Sequence, residues 1–162
     1  TPVAAADRGF EGRGTAAQFN QPGGIAIDAA GNLYVTEWAY HRIRKVLPDG
    51  TVTVLAGIGR PGFTDGFRLE ARFNIADAVA VDAQGYLFIT EVGNHAVRRI
   101  SRTDAGFGLI RTVAGTLQSS GFFGDQGYST SARLNGPTSV ACGPDGTLLI
   151  ADRWSNRIRR VR

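Results

Sequence analysis

The pattern of apolar and polar positions divides the chain into short segments. Runs of Val, Ile and Leu are separated by breaks rich in Gly, Asp and Asn. Short apolar runs bounded by such residues predict β-strands joined by tight turns. With 22 glycines dispersed through the breaks, an all-α chain is disfavoured.

The runs also repeat. A 29-residue block occurs three times without a gap, at 19–47, 73–101 and 134–162. Asn20/Asn74/Asn135, Gly31/Gly85/Gly146 and Arg44/Arg98/Arg159 are identical in all three copies. In the first copy Ile25–Asp28 reads as a strand, Gly31 as a turn, Leu33–Thr36 as a second strand and Arg42–Val46 as a third. The first two copies are followed by a fourth strand, Thr51–Gly57 and Leu109–Gly115, and then by a Gly-rich connector, Gly62–Arg72 and Gly121–Arg133. Units of four antiparallel strands recurring after 54 and then 61 residues predict an all-β chain of β-propeller blades. A repeat this small has no core of its own and buries its faces against its neighbours.

These boundaries make 1–18 an outer strand and connector, 19–72 blade one, 73–133 blade two, and 134–162 blade three without its outer strand. Gly9–Gln18 matches the connectors, which makes Thr1–Ala5 the tail of an outer strand. Three blades fall short of the 4–8 of a propeller ring. The whole of 1–162 is therefore expected to be half of a six-bladed propeller, its N-terminal strand completing a blade either in trans, by self-association of two copies, or within a longer chain that supplies further blades. A chain without Met that starts Thr1-Pro2-Val3 agrees with removal of upstream residues.

Composition bears on function more than on fold. Lys and Arg number 18 against 14 Asp and Glu, and only Lys45 is a lysine, so the net charge of +4 is carried by guanidinium groups. Arginine favours planar, paired or stacked contacts. No apolar run approaches the roughly 20 residues that cross a bilayer, and no basic-then-apolar leader is present, so a soluble chain without membrane contact is expected. The single cysteine, Cys142, excludes an intrachain disulfide. It occupies a strand position held by Ile27 and Val81 in the other copies and reads as a small buried hydrophobe.

The segment Gly31-Asn32-Leu33-Tyr34-Val35-Thr36-Glu37 followed by His41-Arg42-Ile43-Arg44-Lys45-Val46 resembles the NHL repeat, and 85–100 and 146–161 match the same pattern. The connectors resemble those of NHL propellers in bacterial surface proteins and teneurin-type extracellular proteins. The resemblance implies a propeller platform and favours a secreted or cell-surface location. The fold is also shared by RNA-binding regulators and by a metal-dependent lyase with zinc ligands near the central channel, so the residues must choose among these.

Repeated positions serve what every blade needs. Glu37, Glu91 and Asp152 with Arg44, Arg98 and Arg159 are expected to form ion pairs, and His41, His95 and Asn156 to brace the turn between the second and third strands. Two histidines and an asparagine do not make a zinc set, so no metal, no cofactor and no enzymatic activity are expected. Asp28 and Asp82 suit turns, with Gly143 in the third copy, and no paired carboxylates or nucleophile triad recur. Asp65 and Asp125 lack the dense spacing of a Ca²⁺ loop. The residues that break the repeat are Trp38, Tyr40 and Trp154, flanked by Arg42, Arg153 and Arg157. Exposed aromatics interleaved with arginine fit a protein or glycan ligand, with RNA as the alternative and packing over a neighbouring blade as the structural reading. Phe63, Phe67, Phe122, Phe123 and Tyr128 of the connectors offer a second surface.

Overall fold

The second and third strands of each repeat form where the apolar runs place them. The structure is a computed structural model that describes residues 11–103, 106–125 and 127–161. A first antiparallel sheet contains β1 (Gly12–Arg13), β2 (Pro22–Ile27), β3 (Leu33–Glu37), β4 (Arg42–Val46) and β5 (Thr51–Ala56). A second contains β6 (Gly66–Phe67), β7 (Ala76–Val81), β8 (Leu87–Glu91), β9 (Ala96–Thr103) and β10 (Gly106–Ala114). A third contains β11 (Pro137–Cys142), β12 (Leu148–Asp152) and β13 (Arg157–Val161). The orders are β1-β5-β4-β3-β2, β6-β10-β9-β8-β7 and β11-β12-β13, so β2–β5, β7–β10 and β11–β13 are meanders and β1 and β6 are added at the outer edge of the first two. The sheets stack as blades through their inner strands, β2 against β7 and β7 against β11.

Two features depart from the sequence reading. The inner strands begin earlier, at Pro22, Ala76 and Pro137, and each carries a register shift in its first residues. Just before them Gln21, Ile75 and Gly136 adopt positive φ, a bend that apolar alternation does not signal. The connectors, expected to be loops, add a fifth strand to the first two blades. Gly12 pairs with Val52, and Gly66 with Ile110. An acid fixes each pairing: Glu11 accepts the Val54 N–H at 3.0 Å and Asp65 accepts the Thr112 N–H at 3.2 Å. Two-residue strands are too short to show alternation. The outer strand expected at Thr1–Ala5 lies outside the described residues.

The core lies between blades. Tyr34, Ile43 and Leu55 of blade one pack with Phe73, Val79 and Leu87 of blade two. Phe88 and Val97 of blade two pack in turn with Leu134, Val140 and Ile150 of blade three. Burying one such side chain contributes about 1.5–3 kcal/mol. Close approach of the inner strands requires Gly24, where a Cβ would lie 2.7 Å from the Ala78 Cα.

Equivalent positions at the two ends of the stack are bare. Ile25 is 64% exposed where Val79 and Val140 are 7% exposed. Ile158 is 71% exposed where Ile43 and Val97 are fully buried. Each blade therefore has two adhesive faces, and the outer two of this three-blade stack are uncovered in the chain as it stands.

Candidate functional site

In each blade an acid at the end of the second strand is buried beside the connector. Glu37 Oε1 accepts the Asn20 N–H at 2.9 Å, Glu91 Oε1 the Asn74 N–H at 2.7 Å, and Asp152 Oδ1 the Asn135 N–H at 2.5 Å. The other carboxylate oxygen pairs with Arg44 at 3.3 Å, Arg98 at 3.0 Å or Arg159 at 3.4 Å. Each of those arginines also donates to a connector carbonyl, that of Gln18, Arg72 or Arg133. The pair lies within one blade and clamps the connector to it, which explains its presence in all three copies. The copies differ in charge balance. Glu37 has a second cation, Arg42, at 2.6 Å, whereas Ala96 stands at that position in blade two and Asn94 donates to Glu91 instead. Burial, incompletely offset by Arg98, pushes the Glu91 carboxyl up to about 7.

His41, His95 and Asn156 all adopt positive φ in the turn between the second and third strands. The two imidazoles reach further than their own turn. His41 Nδ1 accepts the Ile75 N–H at 3.3 Å, and His95 Nδ1 accepts the Gly136 N–H at 3.1 Å. Each histidine thus links one blade to the next and satisfies an amide at the positive-φ bend. Burial lowers both imidazole pKa values, and an Nδ1 acceptor requires the neutral ring.

The same turns carry the residues that break the repeat. Trp38 lies across Gly23 and is 39% exposed, while its Nε1 donates to Asp77 Oδ1 of blade two at 3.1 Å. Trp154 covers Gly136, meets His95 edge-on at 6.0 Å and remains 53% exposed. Both rings combine packing with an open face. Arg153 and Arg157 are exposed, and the Arg157 guanidinium sits 5.0 Å over the Phe122 ring. Phe122 stacks on Phe123, so Arg157 and the two phenylalanines form one exposed aromatic group.

Arg42 and Tyr40 behave differently from the sequence expectation. Arg42 is buried on Glu37, with its guanidinium 4.4 Å over the Tyr40 ring, and is not presented to a ligand. In blade three the acid is Asp152, shorter by a methylene. It pairs with Arg159, and Arg157 turns outward. Sequence reasoning missed Asp77 altogether. Its signal was present, because Gly23 and Thr138 occupy the same slot in the other copies.

The remaining candidates are placed as follows. Asp65 lies 2.5 Å from Arg98 and Asp125 contacts Arg159, so both carboxylates expected to be poor Ca²⁺ ligands face arginine. Among the described residues no three His, Cys, Asp or Glu side chains converge as a metal site. Cys142 is half-buried, and burial together with the Asp82 charge pushes its thiol up to about 11. A cleft of about 610 Å³ runs between β13 and the 124–134 connector, where β5 and β10 lie in the other two blades.

Comparisons with known proteins agree with this architecture. The Teneurin NHL domain family matches residues 64–162, and the NHL repeat matches 19–46. Teneurin-3 of Danio rerio is 33% identical over 158 residues, covering 87% of this chain. Teneurin-3 of Mus musculus is 36% identical over 101 residues, covering 57%. The chain spans only 6% and 4% of those proteins' lengths. A structural genomics protein from Bacteroides thetaiotaomicron superimposes with a TM-score of 0.72 at 25% identity, over 80% of this chain and 32% of that one. Virginiamycin B lyase from Staphylococcus aureus superimposes with a TM-score of 0.56 at 21% identity, over 99% of this chain and 40% of the lyase, a likeness of fold alone. With three NHL blades in register and a family match over most of its length, the chain belongs to the teneurin NHL domain family of β-propellers.

Proposed function

We propose that the chain is a non-enzymatic binding module of an extracellular or cell-surface assembly, its outer blade faces covered by further blades and its turn face contacting a protein or glycan partner. The observation that carries this reading is the exposure of Trp154 and of the group formed by Phe122, Phe123 and Arg157. Trp154 stands where blades one and two have Ala39 and Gly93, so it is not a requirement of the repeat. Aromatic and arginine side chains of this kind dominate binding energy at protein interfaces. The RNA alternative is weakened because Arg42, Arg44, Arg98 and Arg159 are buried in ion pairs and add nothing to a phosphate-facing surface.

A binding screen of the full-length protein against an ectodomain library tests the reading. A partner whose binding falls by about tenfold or more on Trp154→Ala, with unfolding unchanged within about 2 °C, supports it. Partners indifferent to Trp154→Ala, or catalytic turnover by the protein, would overturn it.

A further inference from the structure

The net charge is not spread evenly along the chain. Residues 1–105 hold eleven Lys and Arg against eleven Asp and Glu, whereas residues 106–162 hold seven against three and so carry the whole excess of +4. Two of those three acids, Asp125 and Asp152, pair with the buried Arg159. The third, Asp145, accepts from Thr147 in the turn between β11 and β12. Arg133 and Arg157 are exposed, and among the described residues neither has an acidic partner.

Contacts of the 121–133 connector set both cations into one surface with two aromatic rings. The connector closes as a short ladder, in which the Gly121 N–H donates to the Leu134 carbonyl at 3.1 Å and the Arg133 N–H to the Phe123 carbonyl at 2.9 Å. The Arg133 stem crosses Gly121, where a Cβ would lie 3.1 Å from its Cδ and 3.7 Å from the Phe123 ring. The Gly121 carbonyl accepts the Ser155 hydroxyl at 3.5 Å, which ties the connector to the turn that leads into Arg157. The Arg157 guanidinium lies 5.0 Å over the Phe122 ring, and Phe123 stacks on Phe122 at 4.9 Å. Both rings stay more than half exposed. Arg157 spends one N–H on the Ser155 carbonyl at 3.4 Å and keeps the rest of its fork for a ligand.

Blade two has the same ladder without the patch. There the Gly62 N–H donates to Phe73 and the Arg72 N–H to Thr64, but Thr64 stands in place of Phe123 and Ala96 in place of Arg157. In blade one the cation at the Arg157 position, Arg42, is buried on Glu37. The frame therefore stands without the second ring and the exposed guanidinium, which are additions of blade three.

Such a surface asks for a ligand that is both anionic and apolar. A guanidinium grips a carboxylate through two parallel N–H donors, and the two exposed phenyl rings take up aliphatic or aromatic side chains. A nucleic-acid strand fits less well, because its affinity comes from many phosphate contacts and two cations flank these rings.

We propose that Phe122, Phe123, Arg133 and Arg157 form a docking surface for an acidic peptide segment of a partner protein, one in which Asp or Glu stands next to Leu, Phe or Tyr. The proposal rests on the reading of this chain as a binding module and names the chemistry of its partner. Because the ladder and Gly121 fix the rings and the Arg133 stem beforehand, part of the ordering cost of binding is spared.

The test is selection of random peptides displayed on phage against the full-length protein, followed by fluorescence anisotropy with the selected sequences. These are expected to be richer than the starting library in Asp and Glu adjacent to Leu, Phe or Tyr. Their affinity is expected to fall about tenfold in Arg157→Ala and in Phe123→Thr, and several-fold in Arg133→Ala. The first two variants copy Ala96 and Thr64 of blade two, residues that the same frame already accommodates. Arg157→Glu is expected to reject the acidic peptides and to gain affinity for versions with Lys in place of Glu. Selected peptides without acidic enrichment, or acidic peptides that Arg157→Ala and Phe123→Thr both leave unaffected, overturn the surface. Heparin or polyuridylate bound through the same two residues, with no acidic peptide selected, overturns it as well. Trp154→Ala separates the two readings. An ectodomain partner that depends on Trp154 and is indifferent to Arg157→Ala and Phe123→Thr, with no acidic peptide selected, removes the acidic-peptide surface alone.

Discussion

His95 of blade two accepts through Nδ1 the backbone N–H of Gly136 in blade three, 3.1 Å away. Protonation of the imidazole removes that acceptor, so this link between blades, and its counterpart from His41 to Ile75, exists only with neutral rings.

Stability therefore depends on pH through these two residues. Their folded-state pKa values lie below the ordinary 6.5, so the unfolded chain binds protons more readily than the folded one. The contribution is full above pH 6.5 and is lost as pH falls through the lower folded value. Glu91 has the opposite sign: its raised pKa favours the fold at low pH and this is lost as pH rises from about 4.5 toward about 7. The difference between proteins isolates the histidines. Urea unfolding at pH 7.5 and 5.0 is expected to show a smaller loss on acidification for His41→Asn/His95→Asn, which copies Asn156, than for the unaltered protein. Equal losses would show that the imidazoles carry no pH-dependent link.

The two buried glutamates are not equivalent. Glu37 serves both Arg42 and Arg44, whereas Glu91 serves Arg98, which keeps Asp65 as a second anion. Glu37→Gln strips a shared carboxylate from two buried guanidiniums and is expected to cost about 3–5 kcal/mol. Glu91→Gln leaves Oε1 accepting from Asn74 and Asn94 and is expected to cost about 1–2 kcal/mol. Denaturant midpoints of the two variants give the ranking, and the reverse order would contradict it.

Coverage of the outer faces is read by a matched pair of substitutions. Val97→Asp places an unpaired charge between blades two and three and is expected to cost more than about 3 kcal/mol. Ile158 holds the same position in blade three. In the intact protein Ile158→Asp is expected to be comparably damaging, lowering the unfolding temperature by several degrees. A change within about 0.5 kcal/mol would mean that nothing covers this face.

Cys142 should be a poor nucleophile. Burial, with the Asp82 charge, raises its pKa to about 11, which leaves on the order of a thousandth of it ionised at pH 8. Alkylation by iodoacetamide at pH 8 is expected to be at least about tenfold slower in the folded protein than in urea. Equal rates would place the thiol in open solvent.

Much of this molecule is legible in the order of its residues. The three-fold block gives the main strands of each unit and their order, because such a strand needs only local alternation and a turn needs only Gly, Asp or Asn at the right spacing, whereas the two-residue strands β1 and β6 are too short to show any. Thus β3, β4 and β5 begin where the runs predict them. The same spacing marks Trp38 and Trp154 as departures from the repeat. Which side chains face a ligand is a different matter, since that depends on partners brought together from other blades. Arg42 and Arg157 are the same residue type at the same repeat position, yet one is buried on Glu37 and the other stacks on Phe122. Asp77 joins Trp38 across 39 positions of sequence. Sequence alone determined the repeat, the main strands and the family resemblance. Tertiary structure decided which charges are neutralised and which face is left open, because burial and pairing are properties of the stacked blades rather than of any one of them.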